Sequence, residues 1–170
     1  GSIGVYALDL KGKLLWKRSF GEQKVKHEHG EGSSPALFRD TLVIPWDHEG
    51  QSALIALDKR TGKTRWRKLR DEPTAWSTPL ILQHGGVPQV IVSATGRVRA
   101  YALADGGLLG AAGGLSHNVV ASPVAGGGMV YAGSSYEKQA LLAIKLDGAK
   151  GELSSGAEGH IAWRLRRRTP

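Results

Sequence analysis

The chain contains no cysteine, so neither a disulfide framework nor a cysteine-based metal site is available to it. No apolar run approaches the ~20 residues that a membrane-spanning helix needs, so no membrane span is expected. Gly1 to Asp9 carries neither a basic leader nor a hydrophobic segment. No phosphate-binding loop, dinucleotide G-x-G-x-x-G, G-x-S-x-G elbow or H-E-x-x-H is present. Only one asparagine occurs, Asn118.

Of the 170 residues, 41% are apolar and 22% charged, enough to bury a core and against disorder throughout. The net charge of +8 gathers partly in Lys11, Lys13, Lys17, Arg18, Lys24 and Lys26, and again in Arg164, Arg166, Arg167 and Arg168. No aromatic stacking platform accompanies these bases, so a basic surface is expected rather than a nucleic-acid site. The 24 glycines and 7 prolines are spread along the whole length, which implies many turns between short elements and an all-β architecture.

An internal repeat organises the chain. Ser34-Pro35, Thr78-Pro79 and Ser122-Pro123 recur every 44 residues. In step with them, short β-rich runs end at Asp9, Asp58, Asp105 and Asp147. The unit 32–70 reads as four strands (SSPALF, TLVIPWD, SALIALD and KTRWRKL), and 76–112 and 120–168 repeat the order, the last with an insertion that lengthens its final turn. Four antiparallel strands per unit at this period describe a β-propeller blade. Residues 1–20 supply only the last two strands of a blade. The expectation is therefore fourteen strands in three and a half blades, a partial β-propeller spanning 1–170 and part of a larger seven- or eight-bladed ring whose remaining blades it needs.

The segment Ala56 to Trp66 resembles the tryptophan docking motif of the pyrroloquinoline-quinone (PQQ) type propellers, A-x-D-x-x-T-G-x-x-x-W, at all five fixed positions: Ala56, Asp58, Thr61, Gly62 and Trp66. Ala7, Asp9, Gly12 and Trp16 repeat it one residue shorter, with Lys11 in place of threonine. The third unit has Ala102 and a displaced Asp105 without tryptophan; the fourth reaches Trp163 only after its insertion. The motif's own mechanics are structural: a capped tight turn, a glycine in a strained conformation, and an indole packed on the next blade. The resemblance extends to uncharacterised bacterial PQQ-like repeat proteins, to the outer-membrane β-barrel assembly lipoprotein and to quinoprotein alcohol dehydrogenases, and it implies an extracytoplasmic location.

Blade topology brings the loop entering the inner strand and the loop between the second and third strands to one side. That side is expected to carry His27, Glu28 and His29, then Arg70, Asp71, Glu72 and Trp76, then His117 and Asn118, with Asp47, His48, Glu49, Thr95 and Glu137 from the second set of loops and Trp46 beside them. Loops converging on a rigid scaffold commonly form a ligand or partner site; ordinary turn chemistry and solvation account for the same residues. His27 and His29 would lie on one side of an extended strand, a spacing compatible with zinc or copper, but a third ligand is not identifiable and no metal is assigned. Asp47-His48-Glu49 lacks a nucleophile and no catalytic residue is assigned.

For the quinone enzymes, the resemblance implies PQQ with calcium held by carboxylate and amide oxygens, a catalytic aspartate and often a cysteine pair. Glu49, Asp71 and Glu72 are the carboxylates available for such a site, and no cofactor is assigned. The leading expectation is a non-catalytic binding or scaffold module whose loop-rich face engages a protein partner. A fragment of a PQQ- and calcium-dependent alcohol or sugar dehydrogenase is the alternative, and the sensor ectodomain of a membrane-anchored kinase is a second.

Overall fold

The structure is a computed structural model and describes residues 4–136, 139–154 and 159–166. Two strands open the chain, β1 (Gly4–Leu8) and β2 (Leu14–Ser19), paired antiparallel. A four-stranded meander follows: β3 (Ala36–Phe38), β4 (Thr41–Trp46), β5 (Ala53–Asp58) and β6 (Thr64–Leu69). The next sheet contains β7 (Leu80–His84), β8 (Val87–Ala94), β9 (Arg97–Ala102) and β10 (Leu108–Gly113). The last contains β11 (Val124–Gly126), β12 (Met129–Ser134), β13 (Ala140–Lys145) and β15 (Ile161–Leu165). Sheet order equals chain order among these strands, the arrangement of successive β-propeller blades, although the described residues close no ring.

Local chemistry sets the strand limits. Each Ser/Thr-Pro step precedes an inner strand, because proline donates no ladder hydrogen bond and holds its predecessor extended. Gly85-Gly86 and Gly127-Gly128, all at positive φ, make the tight turns after β7 and β11 that two-residue hairpins demand. The middle strands β4 and β5 are almost continuously apolar and buried on both faces, whereas the outer strands β2 and β6 are mostly exposed.

Every core cluster lies between two consecutive sheets. Val5, Trp16 and Phe20 meet Ile44, Trp46, Ile55 and Leu57; Val43, Leu54 and Ala56 meet Val90, Val92, Tyr101 and Leu103; Ile91, Val98 and Ala112 meet Val130, Leu142 and Ile144. A sheet's stability is thus shared with its neighbours, as in other stacked-repeat proteins.

The 44-residue period has a direct structural meaning. The Thr78 hydroxyl accepts a hydrogen bond from Ser34 N at 2.9 Å, and the Ser122 hydroxyl accepts from Thr78 N at 3.0 Å, so equivalent positions link one sheet to the next. The tryptophans make a second tie. Trp16 Nε1 donates to Lys59 O and Trp66 Nε1 to Leu103 O, both at 2.9 Å. Each ring lies over the turn glycine of the following sheet: a Cβ on Gly62 would come within 2.6 Å of Trp16, and one on Gly106 within 2.8 Å of Trp66. Opposite each indole on the adjacent strand stands the small residue Ala7 or Ala56. The turns are capped by Asp9, which accepts from Lys11 N and Lys13 N, and by Asp58, which accepts from Arg60 N, Thr61 N and the Thr61 hydroxyl.

The insertion in the last unit differs from expectation. It does more than lengthen a turn, because Gly151–Leu153 form a further strand, β14, which pairs parallel with β10 of the preceding sheet. That sheet therefore has five strands, and the described residues hold fifteen rather than fourteen. The reason is visible at Gly110. Tryptophan follows the turn glycine by four residues in the first two units (Gly12 to Trp16, Gly62 to Trp66), but in the third Gly106 is followed by Gly110. A Cβ there would sit 3.2 Å from Gly151 O, so the absent side chain lets the main chain of β14 approach. Arg164, donating to Gly113 O at 2.9 Å, and the 2.7 Å His84–Asp147 contact complete this junction.

Candidate functional site

Three connections and the loop after β4 converge on one side. Glu49 N donates to Lys24 O at 2.9 Å, and His48 Nδ1 accepts from Lys24 N and Gly50 N, both at 3.2 Å. Gly50 is required there, since its Cβ would come within 2.6 Å of His48 Cε1. Glu49 Oε1 accepts from Thr74 N and the Thr74 hydroxyl at 3.1 and 2.7 Å, and those bonds hold its carboxyl below the usual range. The Thr74 hydroxyl also accepts from Lys26 N at 3.0 Å, so this residue ties two loops together.

Beneath this layer lies a buried charge cluster. Asp47, 2% exposed, forms a bidentate pair with Arg70 at 2.9 and 3.0 Å, and Arg70 also donates to the Tyr101 hydroxyl at 2.8 Å. Burial pushes the Asp47 carboxyl up against the pull of Arg70. Arg99 pairs with Asp71 at 2.6 Å and contacts Glu72 Oε1 at 3.0 Å, the latter without a well-directed hydrogen bond. The bond from Arg99 lowers Asp71, while burial pushes Glu72 up to about 7. Asp47, His48, Arg70 and Glu72 are therefore interior residues that join sheets, and only Glu49 and Asp71 of this group are exposed. Trp46 is also buried, edge-on to Phe20 at 5.4 Å.

Trp76 sits differently. It is half-buried, its Nε1 donates to Gly30 O at 2.9 Å and its N to Val119 O at 2.9 Å, and its ring leaves no room for a side chain at Gly32. His29 lies 6.4 Å from the indole and His27 5.5 Å from His29, by ring centroids. The extended arrangement expected for these histidines is not found: residues 26–28 make a single 3-10 turn with His27 and Glu28 at positive φ. Trp76, His27, His29 and Asn118, together with Tyr136 and Leu141, line a cleft of about 1060 Å³ formed by three successive connections between sheets and by β12 and β13 of the last sheet. His117 is exposed beside it, Asn118 takes a positive φ of 52°, Thr95 lies in the tight β8–β9 turn, and Glu137 lies outside the described residues.

Arg99, Tyr101, Thr74 and Tyr136 are absent from the sequence-based set. Arg99 had a readable signal, being an arginine at an inward position of the otherwise buried run RVRAYA; Tyr136 and Thr74 had none.

A family model described as outer membrane protein assembly factor BamB matches residues 2–153. The chain belongs to that family. BamB from Moraxella catarrhalis is a similar solved structure, with 19% identity and a TM-score of 0.58 over 91% of this chain and 40% of that one. Quinohemoprotein alcohol dehydrogenase from Comamonas testosteroni matches at 17% identity and a TM-score of 0.58, over 81% of this chain and 21% of that one. The corresponding enzyme ADHIIG from Pseudomonas putida HK5 gives 16% and 0.59, over 85% and 22%. These likenesses are of fold alone, and the chain spans less than half of each structure. No curated protein matches it. The PQQ-like repeat architecture read from the sequence is thus the architecture of the chain.

The PQQ-and-calcium site implied by the sequence resemblance does not fit the carboxylates present. Glu49 is held by Thr74, Asp71 by Arg99, and Glu72 is buried against Arg99. No three acidic or histidine side chains converge as a cation site among the described residues. A hard divalent cation needs several uncommitted oxygens converging on one point, whereas Glu49 is engaged by Thr74 and Asp71 by Arg99.

Proposed function

We propose that this chain is a non-catalytic binding or scaffold module of a larger extracytoplasmic bacterial protein, and that the side carrying Trp76 receives a protein partner. The observation that carries this reading is the cleft of about 1060 Å³ with Trp76 and Tyr136 at its walls. Amphipathic aromatics on a preorganised scaffold are the residues that anchor partner segments at low entropic cost. Glu49, Asp47 and Arg70 are spent on joining the loops, so shape and aromatic contact are the main means of recognition. The family description, an assembly factor for outer membrane proteins, agrees with a protein partner and with that location.

The test is site-specific photo-crosslinking in the parent protein, with the reactive residue at Asn118 or, as control, at Arg60 on the opposite side. One adduct of defined mass from position 118, absent from position 60 and lost in Trp76→Ala, is the expected result. Equal adducts from both positions, or none from 118, overturns the reading. The dehydrogenase-fragment reading draws on the quinohemoprotein neighbours. Saturable, calcium-dependent quenching of tryptophan fluorescence by PQQ in the longest chain containing these residues would favour it instead.

A further inference from the structure

The outer edges of the sheets differ in chemistry, and the difference follows whether they are covered. β10, with the sequence LLGAAG, carries no charge and is covered in parallel by β14. The outer edges of β2 (LLWKRS) and β6 (TRWRKL) have no partner strand among the described residues. The molecule itself therefore shows that an outer blade edge accepts an added strand.

The open edges are strongly basic. Lys17, Arg18, Lys63, Arg67 and Lys68 are exposed and form no ion pair among the described residues. The two edges are neighbours, since Trp16 of β2 rests on Gly62 just before β6 and Arg18 reaches Thr64 at 3.5 Å. The nearby carboxylates are occupied: Asp40 by Lys59 and Arg60, Asp58 by Arg65, and Asp9 by the backbone of its turn. Like charge on exposed edges opposes pairing with a second copy, which is how natural sheets avoid aggregation. The same charge favours one class of added strand, because opposite charges on adjacent strands attract.

From this we infer that the outer edge of β6, flanked by that of β2, is a docking edge for an extended acidic segment of a partner protein. The segment adds as a fifth strand, in the way β14 adds to β10. Its main chain pairs with β6, and its carboxylates meet Arg67 and Arg18 on the face of the sheet turned toward β2 and Lys68 on the other. This surface lies on the outer rim, away from the Trp76 cleft, and does not depend on the reading of that cleft.

The experiment uses the whole chain and a fluorescein-labelled peptide of alternating glutamate and valine, followed by anisotropy at low salt with backbone hydrogen exchange in parallel. Expected are saturable binding that weakens with salt, slowed exchange across Thr64–Leu69, and roughly tenfold weaker binding by the Arg67→Glu/Lys68→Glu variant, whose fold is checked by circular dichroism. A glutamate–glycine peptide of equal charge, poor at forming strands, should bind much more weakly. Absence of saturable binding overturns the proposal, as does equal binding of both peptides. Binding without slowed exchange in β6 of the unsubstituted chain also overturns it, by reducing the edge to diffuse charge attraction.

Discussion

Replacing Trp66 by alanine tests how the sheets are joined. The indole is half-buried among Val43, Ala56, Val92 and their neighbours, donates to Leu103 O and lies on Gly106. Truncation of a fully buried tryptophan costs about 3–5 kcal/mol, and partial exposure brings the expectation here to about 2–4 kcal/mol. The hydrogen-bond share is isolated by Trp66→Phe, which keeps most of the ring contact and should lose about 1 kcal/mol. The ring's contact with the turn is isolated by Gly106→Ala. At φ 73° the new Cβ would stand 2.8 Å from ring Cε3, so the substitution carries both backbone strain and a clash. Strain costs about 1–2 kcal/mol and remains in any background, whereas the clash disappears once the ring is gone. Urea unfolding followed by far-ultraviolet circular dichroism on the two single variants and the double variant should therefore show coupling of about 1 kcal/mol. A Trp66→Ala cost below about 1 kcal/mol, or equal Gly106→Ala costs in both backgrounds, refutes the interlocking of sheets through this residue.

Two further predictions concern the buried charges. Asp47→Asn preserves shape but leaves Arg70 buried without its carboxylate, and it should lower stability by about 3–5 kcal/mol in urea unfolding; a loss under about 1 kcal/mol would show the pair to be unimportant. Glu72 has its folded-state value raised from 4.5 to about 7, so the folded form holds its proton more tightly than the unfolded form. Stability tied to this group is present below about pH 4.5 and is lost as pH rises through about 7. Glu72→Gln should flatten the fall in melting temperature across that window, and an unchanged pH profile would remove Glu72 as its source.

Much of the architecture was legible because its signals are local. A Ser/Thr-Pro step and a glycine turn act within a few residues, so their repetition at 44 exposes the unit directly. Strand β14 was hidden because it lies in an insertion outside the period and pairs with the preceding sheet. The site was less readable for a related reason. Asp47, Arg70 and Glu72 stand in segments that look like surface loops when one unit is read alone, but the connections of the adjacent units cover them. His27 and Glu28 defeated the extended reading through positive φ, which nothing in the tripeptide announces. Trp76 kept its place beside the cleft because its neighbours across the loops are a glycine and a backbone carbonyl, Gly32 and Val119, which fix the ring without enclosing it.

The exchange of Trp for Gly110 and β14 at one junction bears on how such chains tolerate sequence drift. A tie made by an indole is lost in a single codon change, and the motif that reveals the blade vanishes with it. A tie made by main-chain hydrogen bonds depends on few side chains beyond the glycine that lets the strands approach, so the exposed positions Leu108 and Glu152 have room to vary while buried Ala111 and Ala112 and the sheet register are kept. Counting tryptophan motifs therefore undercounts blades wherever an insertion has taken over the joint, and an inserted strand on an outer edge is the feature to seek where the motif fails.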